Sequence, residues 1–148
     1  MRRDAMGTGP RGSTSDNGTA GLAARLSRFA TGPIRLSGAA TGIAQRGFLE
    51  TVVLGRAGSD QEGVSGLARM AREEYAPGPC TTWDGGSGLA PMGAALVNAT
   101  AASALDYDSL YASVHADAVI VPVALAVGEA VGASGQQVLD AYAVGVEL

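Results

Sequence analysis

The sequence predicts an all-α fold of about six helices, and three observations predict it. Apolar residues recur at helical spacing in successive segments. Gly and Pro fall between those segments, where helices stop. Hydrophobic residues make up 47% of the 148 positions but aromatics only 5%, so such helices pack closely through Ala, Gly, Val and Leu.

Residues 1–18 are rich in Gly, Ser, Thr, Asp and Arg without apolar periodicity and read as a disordered lead; residues 19–148 form the domain. Thr19 is placed to cap a first helix carrying Leu22, Leu26 and Phe29, which Gly32-Pro33 stops. A second helix is expected from Ser37 to Leu54 with Ile43, Phe48, Val52 and Val53 inward, then a turn from Gly55 to Ser59. Ser59 or Asp60 caps a third helix containing Leu67 and reaching Tyr75, ended by Pro77-Gly-Pro79. Cys80 to Gly88 reads as extended or looped. The fourth helix starts near Ala90 with Pro91 in its first turn and carries Met92, Leu96, Val97 and Leu105. A fifth runs from Val119 to Val131 with Val121 and Leu125 inward, and Ser134 caps a sixth. That last helix carries Val138, Leu139, Tyr142 and Val146 in a stripe still running at Leu148, with no closing cap. The stripe is therefore expected to meet a second polypeptide, an identical copy or one completing the fold.

A net charge of −4 argues against nucleic acid or an anionic membrane surface as partner. The longest apolar run, Ala118 to Val127, is too short to span a bilayer, and no secretory pattern opens the chain, so a cytoplasmic location is expected. A single cysteine, Cys80, forms no internal disulfide and reads as a buried or incidental thiol; no metal site is expected.

The chemistry concentrates between Asn98 and Pro122. A small-residue helix delivers Asp106 and Asp108 into a loop that also carries the only histidine, His115. An imidazole titrates near neutral pH, and a neighbouring carboxylate fixes its tautomer. The same residues also read as caps and solvated turn positions.

NATAASALDYD (Asn98 to Asp108), followed by His115 and VPVALA from Val121, resembles the MmgE/PrpD signature, roughly N-G-T-A-A-H-A-L-D-F-D-D-T, a loop, then H-P-S. GLAARLSRFA from Gly21, FLETVVLGRAGSD from Phe48 and GASGQQVLDAYAVGVE from Gly132 resemble further segments of that family, in its order. The family includes 2-methylcitrate dehydratases and cis-aconitate decarboxylases, whose chains are longer, with a separate α/β domain. The resemblance implies a truncated helical domain of this type and a cofactor-independent lyase acting on a small carboxylic acid. It places Asp106 and His115 at the catalytic site, with Asp108, Ser103, Tyr107 and Asp117 supporting. This chain departs from the pattern at Ser103 (usually His), at Ser109-Leu110 (usually D-T) and at Ala116-Asp117 (usually P-S). Asp117 would bring an added negative charge beside His115.

Charge counting sharpens the expectation. All ten cationic residues are arginines and the last is Arg72; nine Asp or Glu lie from Glu73 onward. A carboxylate clamp built from this half lacks Arg and Lys, so a complementary chain is expected to complete the site. The alternatives are a non-catalytic helical remnant or partner-stabilising subunit, and a small helical binding module.

Overall fold

Small residues decide how the helices of this chain meet. The structure, a computed structural model, describes residues 17–111 and 113–147. Among them are six helices: α1 (Asn17–Thr31), α2 (Gly38–Gly58), α3 (Glu62–Glu74), α4 (Pro91–Ser103), α5 (Ala116–Val131) and α6 (Gly135–Glu147). One short strand, β1 (Pro77–Cys80), bridges to Leu89. The fold is all-α, with no barrel or central sheet among the described residues. No described helix is long and apolar enough to cross a membrane.

The chain divides at Gly32 into two units, with α1 in the first. The disordered lead expected for residues 1–18 falls outside the described residues except at Asn17 and Gly18, which are helical. In α1 the stripe of Leu22, Leu26 and Phe29 is present but exposed, which corrects the expectation that it enters the core. Periodicity defines a face; it does not supply what covers it.

In the second unit, α4 and α5 form a central hairpin, with α2 and α3 packed on α4 and α6 packed on α5. Two buried clusters form the core: Ala44, Ala102, Ala118 and Val121 with Leu139 and Tyr142, and Ala94, Val97 and Ala126 with Cys80 and Leu89. α2 runs through the turn expected at Gly55–Ser59, because Gly55 and Gly58 are its contact points: Gly55 lies against the Trp83 ring and Gly58 against the Ala101 carbonyl. Closing α2 against α4 through its small face turns Ile43, Leu49 and Val53 outward. Ile43 and Val53 thus reverse their expected orientation, and Leu96 is partly exposed as well. Phe48, Val52 and Leu125 pack at the core margin.

Helix ends follow local chemistry. The Ser37 side chain caps α2 by accepting from Ala40 N. Pro91 opens α4. Gly132, in the left-handed region at φ 67°, closes α5 while Ala133 N donates to Gly128 O at 2.8 Å. Ser134 and Gln137 cap α6 reciprocally: Ser134 N donates to Gln137 Oε1 at 2.8 Å, and Gln137 N to Ser134 Oγ at 3.3 Å. The stripe of α6 turns inward: Val138, Leu139 and Tyr142 are buried and Val146 packs against the same cluster. It is therefore not a free docking face, since α5 and α2 already cover it.

The segment between β1 and α4 is held by side chains. Asn98, buried on α4, accepts from Trp83 N at 2.8 Å and donates Nδ2–H to Thr81 O at 2.9 Å. Arg72 of α3 donates to Asp84 at 2.8 Å and to Thr82 Oγ1 at 3.0 Å. The Cys80 thiol is buried and donates to Ala126 O at 3.1 Å; burial foremost, and Glu129 second, push it up from its ordinary range, leaving an unreactive thiol.

Replacing Asn98 by Ala should cost about 2–4 kcal/mol in urea unfolding, because two buried backbone groups lose their partners. The Arg72 hydrogen bond, against the opposing effect of burial, holds the Asp84 carboxyl down from 3.8 to about 2. A depressed carboxyl stabilises the fold above its unfolded value and loses that contribution as pH falls through the folded one. Asp84→Asn should therefore be less stable than the parent at pH 7. The deficit should vanish as pH drops from 3.8 toward about 2, followed by thermal melts across that window.

Candidate acid–base site

α4 ends at Ser103, and the chain turns at once: Asp106 N donates to Ser103 O at 3.1 Å. Asp106 adopts φ 54°, a left-handed conformation that Asp tolerates better than most residues. Tyr107 then points to solvent, 78% exposed, while Asp108 turns inward with its side chain 1% exposed. Tyr111 and Val114 pair through their backbones at 2.9 and 2.8 Å, and Ser113 takes φ 77° in the tight return. That return delivers His115 to the N-cap position of α5.

The loop thus brings three of the expected residues together. His115 Nδ1 lies 2.9 Å from Asp108 Oδ2. A carboxylate only accepts, so the neutral ring carries its proton on Nδ1 and leaves Nε2 free. The other oxygen of Asp108, Oδ1, is buried without a partner. Asp106 completes the group: one donor atom from each of Asp106, Asp108 and His115 lies within 4.8 Å of the others, a spacing a cation could bridge. The arginine ion pairs among the described residues are Arg56–Asp60 and Arg72–Asp84, and neither Asp106 nor Asp108 has one. The carboxylate cradling the histidine is Asp108, which the family resemblance placed as a supporting group.

Asp117 behaves otherwise than expected. It is 1% exposed and turns into the core, where Tyr142 donates to its Oδ1 at 2.7 Å and Tyr111 to its Oδ2 at 3.4 Å. The added charge anticipated beside His115 is thus absorbed by two phenols, because the first turn of α5 points position 117 toward α6. Burial first, then the hydrogen bond and charge of Asp117, push the Tyr142 phenol far up, so it remains a donor. Tyr111 is raised as well, by burial first and Asp117 next. Tyr111 stood in no motif, and Tyr142 was marked only as part of an apolar stripe and a family-like segment; their roles rest on pairing across 6 and 25 positions of chain.

Ser103 borders a separate shallow cavity with Gln61, Val64, Thr100 and Val119, away from the His115 cluster. An apolar pocket of about 620 Å³ lies between α2, the end of α5 and the start of α6, lined by Phe48, Val52, Leu125 and Leu139 among others. Asp106 and His115 do not line it, and both are exposed.

An all-α domain with an Asp–His pair on the α4–α5 loop is the class these features define. The MmgE/PrpD N-terminal domain matches residues 24–148, nearly the whole chain, and the chain belongs to the MmgE/PrpD family. No curated protein and no solved structure matches it.

Asp108→Asn should abolish the tautomer preference of His115. Ring ¹⁵N shifts, recorded where the imidazole is neutral, should move from a clear Nδ1–H pattern toward an average of both tautomers. Unchanged shifts would show that the Asp108 contact does not set the ring.

Proposed function

We propose that this chain is the acid–base helical part of an MmgE/PrpD-type lyase. The reaction is dehydration, decarboxylation or isomerisation of a small carboxylic acid. What carries the reading is the 2.9 Å contact between Asp108 and His115, with Asp106 beside it, in a segment that the family match covers. His115 Nε2 exchanges a proton with the substrate, and Asp106 is the second acid–base group. Asp108 orients the ring. Tyr107, exposed on the same loop, borders the substrate side.

Removing a proton beside a carboxylate builds negative charge that needs cations or N–H donors. Asp106 and Asp108 contribute the wrong sign, and no Arg or Lys follows Arg72. The clamp on the substrate carboxylates therefore comes from outside this half of the sequence, from a complementary chain or the early arginines of a further copy, and the reaction takes place in the cytoplasm without an organic cofactor. Such a partner would also roof the exposed Asp106 and His115.

A second reading, a non-catalytic helical remnant or partner-stabilising subunit, draws on one observation. Leu110 stands where the family has a hydroxyl, and it is 62% exposed beside the loop.

Co-purification with a polypeptide supplying the remaining family sequence, followed by assays on 2-methylcitrate and cis-aconitate, separates the two. In an active assembly His115→Ala should lower turnover by about 10²-fold or more, the scale for losing a positioned acid or base. Full activity in that variant would refute the assignment.

A further inference from the structure

Between Asp108 and the body of α5, the loop that presents His115 spans only a few residues, and its far end is tied down in an unusual way. Asp117 lies two residues beyond His115, in the first turn of the helix that His115 caps. Both of its oxygens are used: Oδ1 by Tyr142 of α6 at 2.7 Å, and Oδ2 by Tyr111 of the loop at 3.4 Å. Tyr111 is also the residue whose backbone pairs with Val114, immediately before His115. One carboxylate thus joins the loop, the start of α5 and the middle of α6.

The surroundings are shaped for this contact. At position 47 of α2 a Cβ would lie 2.6 Å from the Tyr142 hydroxyl and 3.3 Å from Asp117 Oδ2, so glycine leaves the room the pair occupies. The Phe48 ring meets Tyr142 edge-on, with centroids 5.9 Å apart, and fixes its direction. The remaining charged group bearing on the two phenols is Glu50, whose sign repels Asp117 and disfavours ionised tyrosine. A buried carboxylate held by two neutral donors and a helix N-terminus is a costly arrangement for fold stability alone.

We propose that Asp117, with Tyr111 and Tyr142, is a positioning clamp that holds the His115 ring against Asp108. Its importance for catalysis rests on the reading of His115 given above, but the clamp is a statement about ring geometry and stands or falls without substrate. Tyr142 anchors the carboxylate in the core, and the carboxylate in turn holds Tyr111. The Tyr111–Val114 pairing then sets where the chain enters α5, and hence where the imidazole points. Neither Asp117 nor the phenols touch the reacting atoms.

His115 is the only histidine, so its ring nitrogens give a single set of ¹⁵N signals in the full chain. In Tyr111→Phe and Asp117→Asn those signals should shift away from the Nδ1–H tautomer. The tautomer ratio should change by about twofold to tenfold, the population effect of losing one hydrogen bond. Tyr111 is 43% exposed, so its variant should keep the parent's circular dichroism and melting temperature. If Asp117→Asn does not fold, the Tyr111→Phe spectrum decides. Parent-like ring signals in folded Tyr111→Phe overturn the clamp. Shifted ring signals in a protein that never turns over a carboxylic acid, with any partner, would uphold the clamp and remove the lyase reading.

Discussion

Close approach between helix backbones is the constraint on which this structure depends. α2 reaches α4 through Gly55 and Gly58, and the faces of α4 and α5 toward the core are largely alanine: Ala94, Ala101, Ala102, Ala118 and Ala126. A Cβ at position 55 would collide with Trp83 and one at 58 with the Ala101 carbonyl. Packing this tight gains dispersion contacts from many small groups instead of burial of a few large ones, and it leaves little room for adjustment. It also pushes the larger side chains outward. Val119, Val123, Val127 and Val131 recur every four residues along α5, all exposed.

The same constraint positions the chemistry. With α4 and α5 held together, the loop between them has a short path, and its turn is forced into left-handed backbone at Asp106 and Ser113. Asp108 falls inside and His115 outside, with Nδ1 and Oδ2 2.9 Å apart. Polar side chains then do what the small apolar contacts cannot. Asn98 ties α4 to the backbone around Trp83, Arg72 fixes Asp84, and Asp117 joins the loop to α6. Each of these is a buried or half-buried group with defined partners, so each specifies an arrangement as well as stabilising it.

The family assignment and the charge distribution pull in complementary directions. The matched segment carries the Asp108–His115 pair, while cations are confined to the first half of the sequence and the two described ion pairs of arginine use Asp60 and Asp84. Under the proposed function, a carboxylate substrate would meet like charge at Asp106 and Asp108.

Much of this protein was legible in its sequence. Helical periodicity and the Gly and Pro positions located six helices, Ser37, Pro91 and Ser134 marked three starts, and the motif from Asn98 to His115 pointed to the family and to the residues that converge. These are local signals, set by backbone sterics, capping and side-chain spacing along one segment. What only the tertiary structure decided was partnership. Ile43 and Phe29 lie in apolar stripes yet are exposed, Val138 and Tyr142 lie in one that is buried, and no spacing distinguishes the two cases. Asp108 and not Asp117 faces His115, because the direction of a carboxylate depends on which helix packs beside it. Hydrogen-bond partners and buried faces are properties of pairs of elements distant in sequence, and their energies exist only once those elements meet.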